Sequence, residues 1–150
     1  MSALQRDASS CASAWNRGQY PLFVSYLSKR FVPDARARAS ILGEIQDGFS
    51  FGGYQFNTFQ VSLGRIPAPK KYRTLYATVF PVEALVKGPG MRITDTGYVL
   101  AVSEDSGKTW RFVPLINYDP GELDRQFPEF ERKISIPAQS EPTVEIVGPE

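Results

Sequence analysis

A chain without histidine must do any acid–base work with carboxylates, tyrosines or its one cysteine, Cys11. Two acids fall in strand-like stretches, Glu83 and Asp95, and seven tyrosines accompany them. A carboxylate base beside a tyrosine that stabilises an enolate is workable isomerase or lyase chemistry, provided the carboxylate is sheltered. Both acids read as solvent-facing: Glu83 follows Pro81, which suits an edge, and Asp95 sits in the polar string Thr94-Asp95-Thr96. Cys11 lies among small residues with no partner to lower its pKa, so it reads as a buried helix residue rather than a nucleophile. Asp119, Glu122 and Asp124 surround a helix start, where acids complement the dipole. Neither these acids nor a lone cysteine make a metal site. The sequence also lacks a phosphate loop, a dinucleotide fingerprint and a serine elbow. We therefore assign no catalytic residue, no metal and no cofactor from the sequence.

The most specific short pattern is Ser103-Glu104-Asp105-Ser106-Gly107-Lys108-Thr109-Trp110, which fits S-x-D-x-G-x-T-W at every specified position. Its chemistry is structural. The Asp105 carboxylate and the Ser103 and Thr109 hydroxyls satisfy backbone groups of a tight turn, Gly107 supplies a positive φ, and Trp110 covers the hairpin. The pattern resembles the Asp boxes repeated across the blades of sialidases and related propellers. A propeller needs about four blades or more, and one copy on 150 residues falls far short. The resemblance thus implies a turn clamp that fixes the register of two strands, without glycosidase chemistry.

The elements that position these residues follow from the apolar pattern. Leu4, Ala8, Cys11, Ala12 and Trp15 recur at spacings of three and four, predicting a helix that Gly18 ends. Pro21 opens a second helix, with Phe23, Val24, Leu27 and Phe31 as its stripe until Pro33. Asp34 caps a third, running through Ile41, Leu42 and Ile45 toward Asp47. Beyond Gly52-Gly53 the period becomes two, predicting strands over 54–63, 72–86, 91–102 and 109–115. Pro81 interrupts the second of these and asks for an edge or a bulge. Asp119 starts a short helix that ends before Pro128. This order predicts an α+β domain over 1–132, with N-terminal helices packed on one face of a curved antiparallel sheet shaped as a cone or roll. A short C-terminal helix follows, and residues 133–150 form an extended or disordered tail.

Composition narrows the partners. With 42% hydrophobic residues, 150 residues suffice for one domain with a real core. The 17 basic and 16 acidic residues cancel to a net charge of +1, so no field draws the chain toward nucleic acid or an anionic membrane. The clusters Lys29-Arg30 with Arg36 and Arg38, and Lys70-Lys71 with Arg73, read as solvated faces. One cysteine excludes an intrachain disulfide. No apolar run suits a signal or a membrane span, so the expected location is the cytoplasm, although a mature secreted domain has the same appearance.

A second resemblance spans roughly 12–130. The helix end Trp15-Asn16-Arg17-Gly18-Gln19-Tyr20 and closing strands with Gly97-Tyr98-Val99-Leu100-Ala101-Val102-Ser103 and Trp110-Arg111-Phe112-Val113 look like bacterial members of the nuclear-transport-factor-like superfamily, similar to cystatin-like α+β rolls. The resemblance implies a sheet cone with an open mouth and dimerisation through the sheet. It leaves function open, because that superfamily includes isomerases, dehydratases, binding modules and assembly domains. The expected pocket gathers Tyr20, Phe23, Tyr26, Tyr54, Phe56, Tyr76, Tyr98 and Phe112, with Phe80 beside them. The first expectation is a non-catalytic binding or interaction domain, using that aromatic cone for a small apolar or aromatic ligand or using an exposed sheet face. The alternatives are an isomerase or lyase with a buried carboxylate and a tyrosine, and a protein-binding inhibitor or immunity-type module.

Overall fold

A computed structural model describes residues 2–47, 50–51, 54–55, 58–88, 90–115, 118–138 and 141–146, excepting the side chains of residues 46, 47, 50, 51, 54, 55 and 58. Helix α1 (Ala3–Asn16) starts where the Ser2 hydroxyl accepts the Gln5 N–H at 3.1 Å. Its stripe of Leu4, Ala8 and Cys11 is buried. Helix α2 (Tyr20–Ser25) is shorter than the sequence predicts. The chain leaves the helix because strand pairing captures it: Phe112 N–H donates to the Tyr26 carbonyl at 2.9 Å, and Ser28 N–H to the Phe112 carbonyl at 2.9 Å. Leu27 and Phe31 thus reach the core from non-helical backbone. Helix α3 (Ala35–Asp47) begins as expected, Asp34 accepting the Ala37 N–H at 2.8 Å, and runs through Gly43 without a break.

The strands are β1 (Ser50–Phe51), β2 (Tyr54–Gln55), β3 (Thr58–Leu63), β4 (Lys70–Tyr72), β5 (Leu75–Gly88), β6 (Met91–Ser103), β7 (Arg111–Pro114) and β8 (Thr143–Ile146). β1 and β2 pair with each other; the other six form one antiparallel sheet with the path β3-β5-β6-β7. The sheet is not closed into a barrel. β4 and β3 share one edge of β5, while β7 and β8 share the outer edge of β6. Two predicted strands come out divided. The stretch 54–63 splits into β2 and β3, and Arg73, at φ 57°, turns the chain between β4 and β5 where the sequence suggests one strand from Tyr72.

Pro81 explains how β5 can be long and interior. It pairs with Tyr98 of β6, while its carbonyl faces the other edge and accepts Gly64 N–H at 2.8 Å. Its missing N–H faces the same edge, where it cannot return a bond to Gly64, so the ladder to β3 ends there at the cost of one bond. The approach is close enough that a Cβ on Gly64 would lie 2.7 Å from Pro81 Cγ and 2.9 Å from its carbonyl oxygen.

The sheet has a core on each face. On the helix side, Phe80, Ala101, Trp110 and Phe112 meet Leu4, Ala8 and Cys11 of α1, with Val24 and Leu27. On the far side, Leu75, Ala77, Leu100 and Val102 meet Leu123 of α4 (Pro120–Gln126), Phe130 of the 3-10 turn Pro128–Phe130, and Phe127 between the two. Burial on both faces explains why Tyr98 to Val102 is continuously apolar instead of alternating. The N-terminal helices cover one face, as expected, and the C-terminal segment covers part of the other. Of the tail, Thr143–Ile146 forms β8, which adds to β6 at Met91–Thr94 and leaves Val144 and Ile146 51% and 86% exposed.

Candidate functional site

The helices do not fill the space above the sheet. A cavity of about 320 Å³ lies between α1, α3, the segment after α2, and strands β3, β5, β6 and β7. Its origin is legible in α1. Ala8, Cys11 and Ala12 line it from one side of the helix, and such small side chains leave part of the space above the strands unfilled. Trp15, one turn further on, closes that end, with Phe23 and Phe59 packed edge-on at 5.0 and 5.2 Å between ring centroids. Ile41 and Ile45 of α3 supply a second wall; Val61, Val82 and Val99 supply the floor. Glu44 is the only charged side chain among the described lining residues, and it is exposed at the rim.

α1 is fixed to the sheet through the exposed edge of β3. Asn16 behaves like a strand residue: its side-chain amide donates to the Val61 carbonyl at 2.9 Å and its oxygen accepts Val61 N–H at 2.8 Å. The Trp15 indole N–H donates to the Phe59 carbonyl at 3.2 Å. Three edge groups are thereby satisfied that would otherwise invite another strand.

Of the residues expected in the pocket, Phe23 and Phe112 line the cavity. Tyr20 packs edge-on against Trp15 at 5.2 Å, behind the wall. Tyr26 and Tyr76 pack on the helix-side core outside the lining, and Tyr98 packs on the opposite face of the sheet. Phe56 and the side chain of Tyr54 lie outside the described residues. The cavity wall is thus more aliphatic and less tyrosine-rich than the aromatic count suggests. Cys11 lies in it as a buried thiol, and burial pushes its pKa up to about 12, which keeps it protonated and unreactive near neutrality.

The two candidate carboxylates separate. Glu83 is exposed, on the face away from the helices. Asp95 departs from the sequence expectation. It pairs with Ala84 and, by strand alternation, shares the helix-facing side with Ile93 and Val99. Its Oδ1 is buried and has no hydrogen-bond partner. Among the described residues, no group of three or more His, Cys, Asp or Glu side chains is placed to hold a metal ion. A second hollow, of about 370 Å³, lies beside α4, and its charged residues are paired: Arg125 with Glu122, Arg132 with Asp124, and Glu131 with Arg73 and Lys133.

The Asp-box hairpin has the clamp geometry its spacing predicts. Asp105 accepts the Thr109 hydroxyl at 2.6 Å, the Thr109 N–H at 2.9 Å and the Ser103 hydroxyl at 2.8 Å. Ser103 in turn accepts the Gly107 N–H at 2.8 Å. Ser106 and Gly107 turn the chain at φ 62° and 87°. The second half of the clamp comes from α1: Asp7 accepts the Trp110 N–H at 2.9 Å, and Arg6 donates to the Lys108 carbonyl at 3.3 Å. The hairpin is thus bolted to the first helix.

Bonds from the Thr109 hydroxyl, the Thr109 N–H and the Ser103 hydroxyl hold the Asp105 carboxyl well below the usual carboxylate range. A depressed folded pKa gives stability that is present above the unfolded value and lost as pH falls toward the folded one. Asp105→Asn should therefore be less stable than wild type by a constant margin above about pH 5, and the margin should shrink below about pH 4. Urea denaturation at neutral and acid pH checks this. A margin unaltered by acid would mean that the charge contributes nothing.

Compared with protein-family models, with curated proteins and with solved structures, the chain matches none. Among the described residues, no helix is long and apolar enough to cross a membrane.

Proposed function

We propose that this protein is a non-catalytic binding domain of the nuclear-transport-factor-like type, which takes a small apolar ligand between its N-terminal helices and the sheet. The observation that carries this reading is the cavity of about 320 Å³ whose described lining has one charged side chain, at its rim. Its size falls at the lower end of ligand sites, about 300 to 1,000 Å³. A gap left unfilled by small residues of α1 costs packing energy in the free protein, and a ligand would recover it. The isomerase or lyase reading asks in addition for a tyrosine on a buried carboxylate, whereas the buried oxygen of Asp95 carries none. Dimerisation through the sheet face has less support, since α4 and the 3-10 turn occupy much of the second face.

The test uses a neutral apolar dye, N-phenyl-1-naphthylamine, whose emission rises on entering an apolar site. Ala12→Phe places a ring in the cavity from the α1 side. Wild type should bind the dye saturably, and Ala12→Phe should weaken it at least about tenfold, equivalent to about 1.4 kcal/mol. Equal binding by both proteins, or none by wild type, would remove the cavity as the ligand site.

A further inference from the structure

Resting on the cavity reading, we infer that α3 is the gate of the site: its last turn, residues 43–47, unwinds at Gly43 to admit an apolar ligand and rewinds over it. The ties that hold each wall point to α3 as the one that moves. α1 is bound to β3 through Asn16 and Trp15, and to the Asp-box hairpin through Asp7 and Arg6. The segment after α2 is bound to β7 by backbone hydrogen bonds at Tyr26 and Ser28. The floor is a paired sheet. α3 is held in its first half, where Asp34 caps it and the Arg38 guanidinium donates to the Pro21 carbonyl at 3.0 Å. Among the described residues, no hydrogen bond or ion pair joins 39–45 to another element. Ile41 and Ile45 line the cavity, yet no described side chain of α3 is fully buried.

Two further features weaken the end of this helix in particular. Glycine disfavours a helix interior more than any residue except proline. A Cβ on Gly43 would meet nothing within 4 Å, so no close neighbour demands a glycine there. The last turn holds Glu44 and Asp47 and no base, and acids at a helix C-terminus oppose the dipole. Sparse burial, low propensity and adverse charge mark a segment that opens locally while the rest stays folded. A ligand in the cavity gives Ile45 an apolar partner, and that contact favours the closed turn.

Hydrogen exchange read by mass spectrometry, together with stopped-flow binding of N-phenyl-1-naphthylamine, tests the gate. In the free protein the amides of 43–47 should exchange at least about tenfold faster than those of 8–14 in α1. Saturating dye should slow the 43–47 amides at least about fivefold and leave those of α1 within about twofold. Gly43→Ala should slow association and release of the dye together, by about four- to fivefold, the preference for alanine over glycine at one helical position. Its Kd should stay within about twofold, because free and bound closed states gain equally. Unchanged rates in Gly43→Ala, or dye binding that leaves the 43–47 amides unprotected, would overturn the gate while the cavity reading stands. Amides of 43–47 that exchange no faster than those of α1 would overturn it in wild type alone, whether or not the variant folds. If the dye does not bind wild type, the cavity reading falls and the gate falls with it.

Discussion

Trp110→Ala should lower folding stability by about 3 to 5 kcal/mol, the usual loss when a large aromatic ring is removed from a core. Trp110 is 3% exposed and belongs to the helix-side core with Leu4, Ala8 and Cys11 of α1 and with Phe80 and Phe112. Its ring also lies over the turn, since a Cβ on Gly107 would come 4.0 Å from Trp110 Cζ2. The hydrogen bond from Trp110 N–H to Asp7 belongs to the backbone and survives the substitution, so the loss measures packing alone. Trp110→Phe should recover a substantial part by restoring a ring in the same place. Guanidinium denaturation followed by far-ultraviolet circular dichroism is the measurement. A loss under about 1 kcal/mol, typical of a surface position, would mean that the hairpin is not seated on α1 as described.

This seat shows what was legible in the sequence and what was not. The clamp within the hairpin was readable because its donors and acceptors lie within four residues of one another, a distance fixed by the turn itself. Asp7 was not read, because its partner is 103 residues away. A signal was nevertheless present: Asp7 lies three residues after Leu4 and four before Cys11, on the apolar stripe of α1 where a charge needs a reason. Similar logic separates α3 from α2. Asp34 starts α3 through a local cap, whereas α2 ends because β7 competes for its backbone, and that competitor lies far along the chain. The cavity was half legible. Its aromatic members were counted, but a void is made by what is small, and Ala8, Cys11 and Ala12 were read as ordinary helix stripe. Asp95 was misjudged by its polar neighbours Thr94 and Thr96. In a strand those two point away from the face that Asp95 occupies, so they say little about its surroundings.

Arg30 was read as part of a solvated basic cluster, and its contacts lead to a prediction for a position with no sequence signal at all. Its guanidinium donates to Glu129 at 2.7 and 2.6 Å, to Glu104 at 2.6 and 3.1 Å, and to the Gln126 carbonyl at 3.0 Å. It also stands 5.2 Å over the Phe127 ring. One side chain thus joins the segment after α2 to the Asp-box hairpin, through Glu104, and to the C-terminal cover of the far face. The side chains of Arg30 and Glu129 are 26% and 16% exposed, against 54% for Glu104, so the Glu129 bonds are the less screened and should dominate. Arg30→Ala should cost about 2 to 3 kcal/mol, because it leaves Glu129 and the Gln126 carbonyl short of a charged donor. Arg30→Lys should restore less than half, since an ammonium cannot match a bidentate fork while also covering an aromatic face. The pH dependence separates this from lost packing. The Arg30 guanidinium holds the Glu129 carboxyl below its ordinary value, so the stability it confers is present above that value and is lost as pH falls below it. The gap between wild type and Arg30→Ala should therefore be widest near neutrality and should narrow below about pH 4. A gap that persists unchanged into acid would assign the role of Arg30 to its contact with Phe127 and leave the ion pair as a bystander.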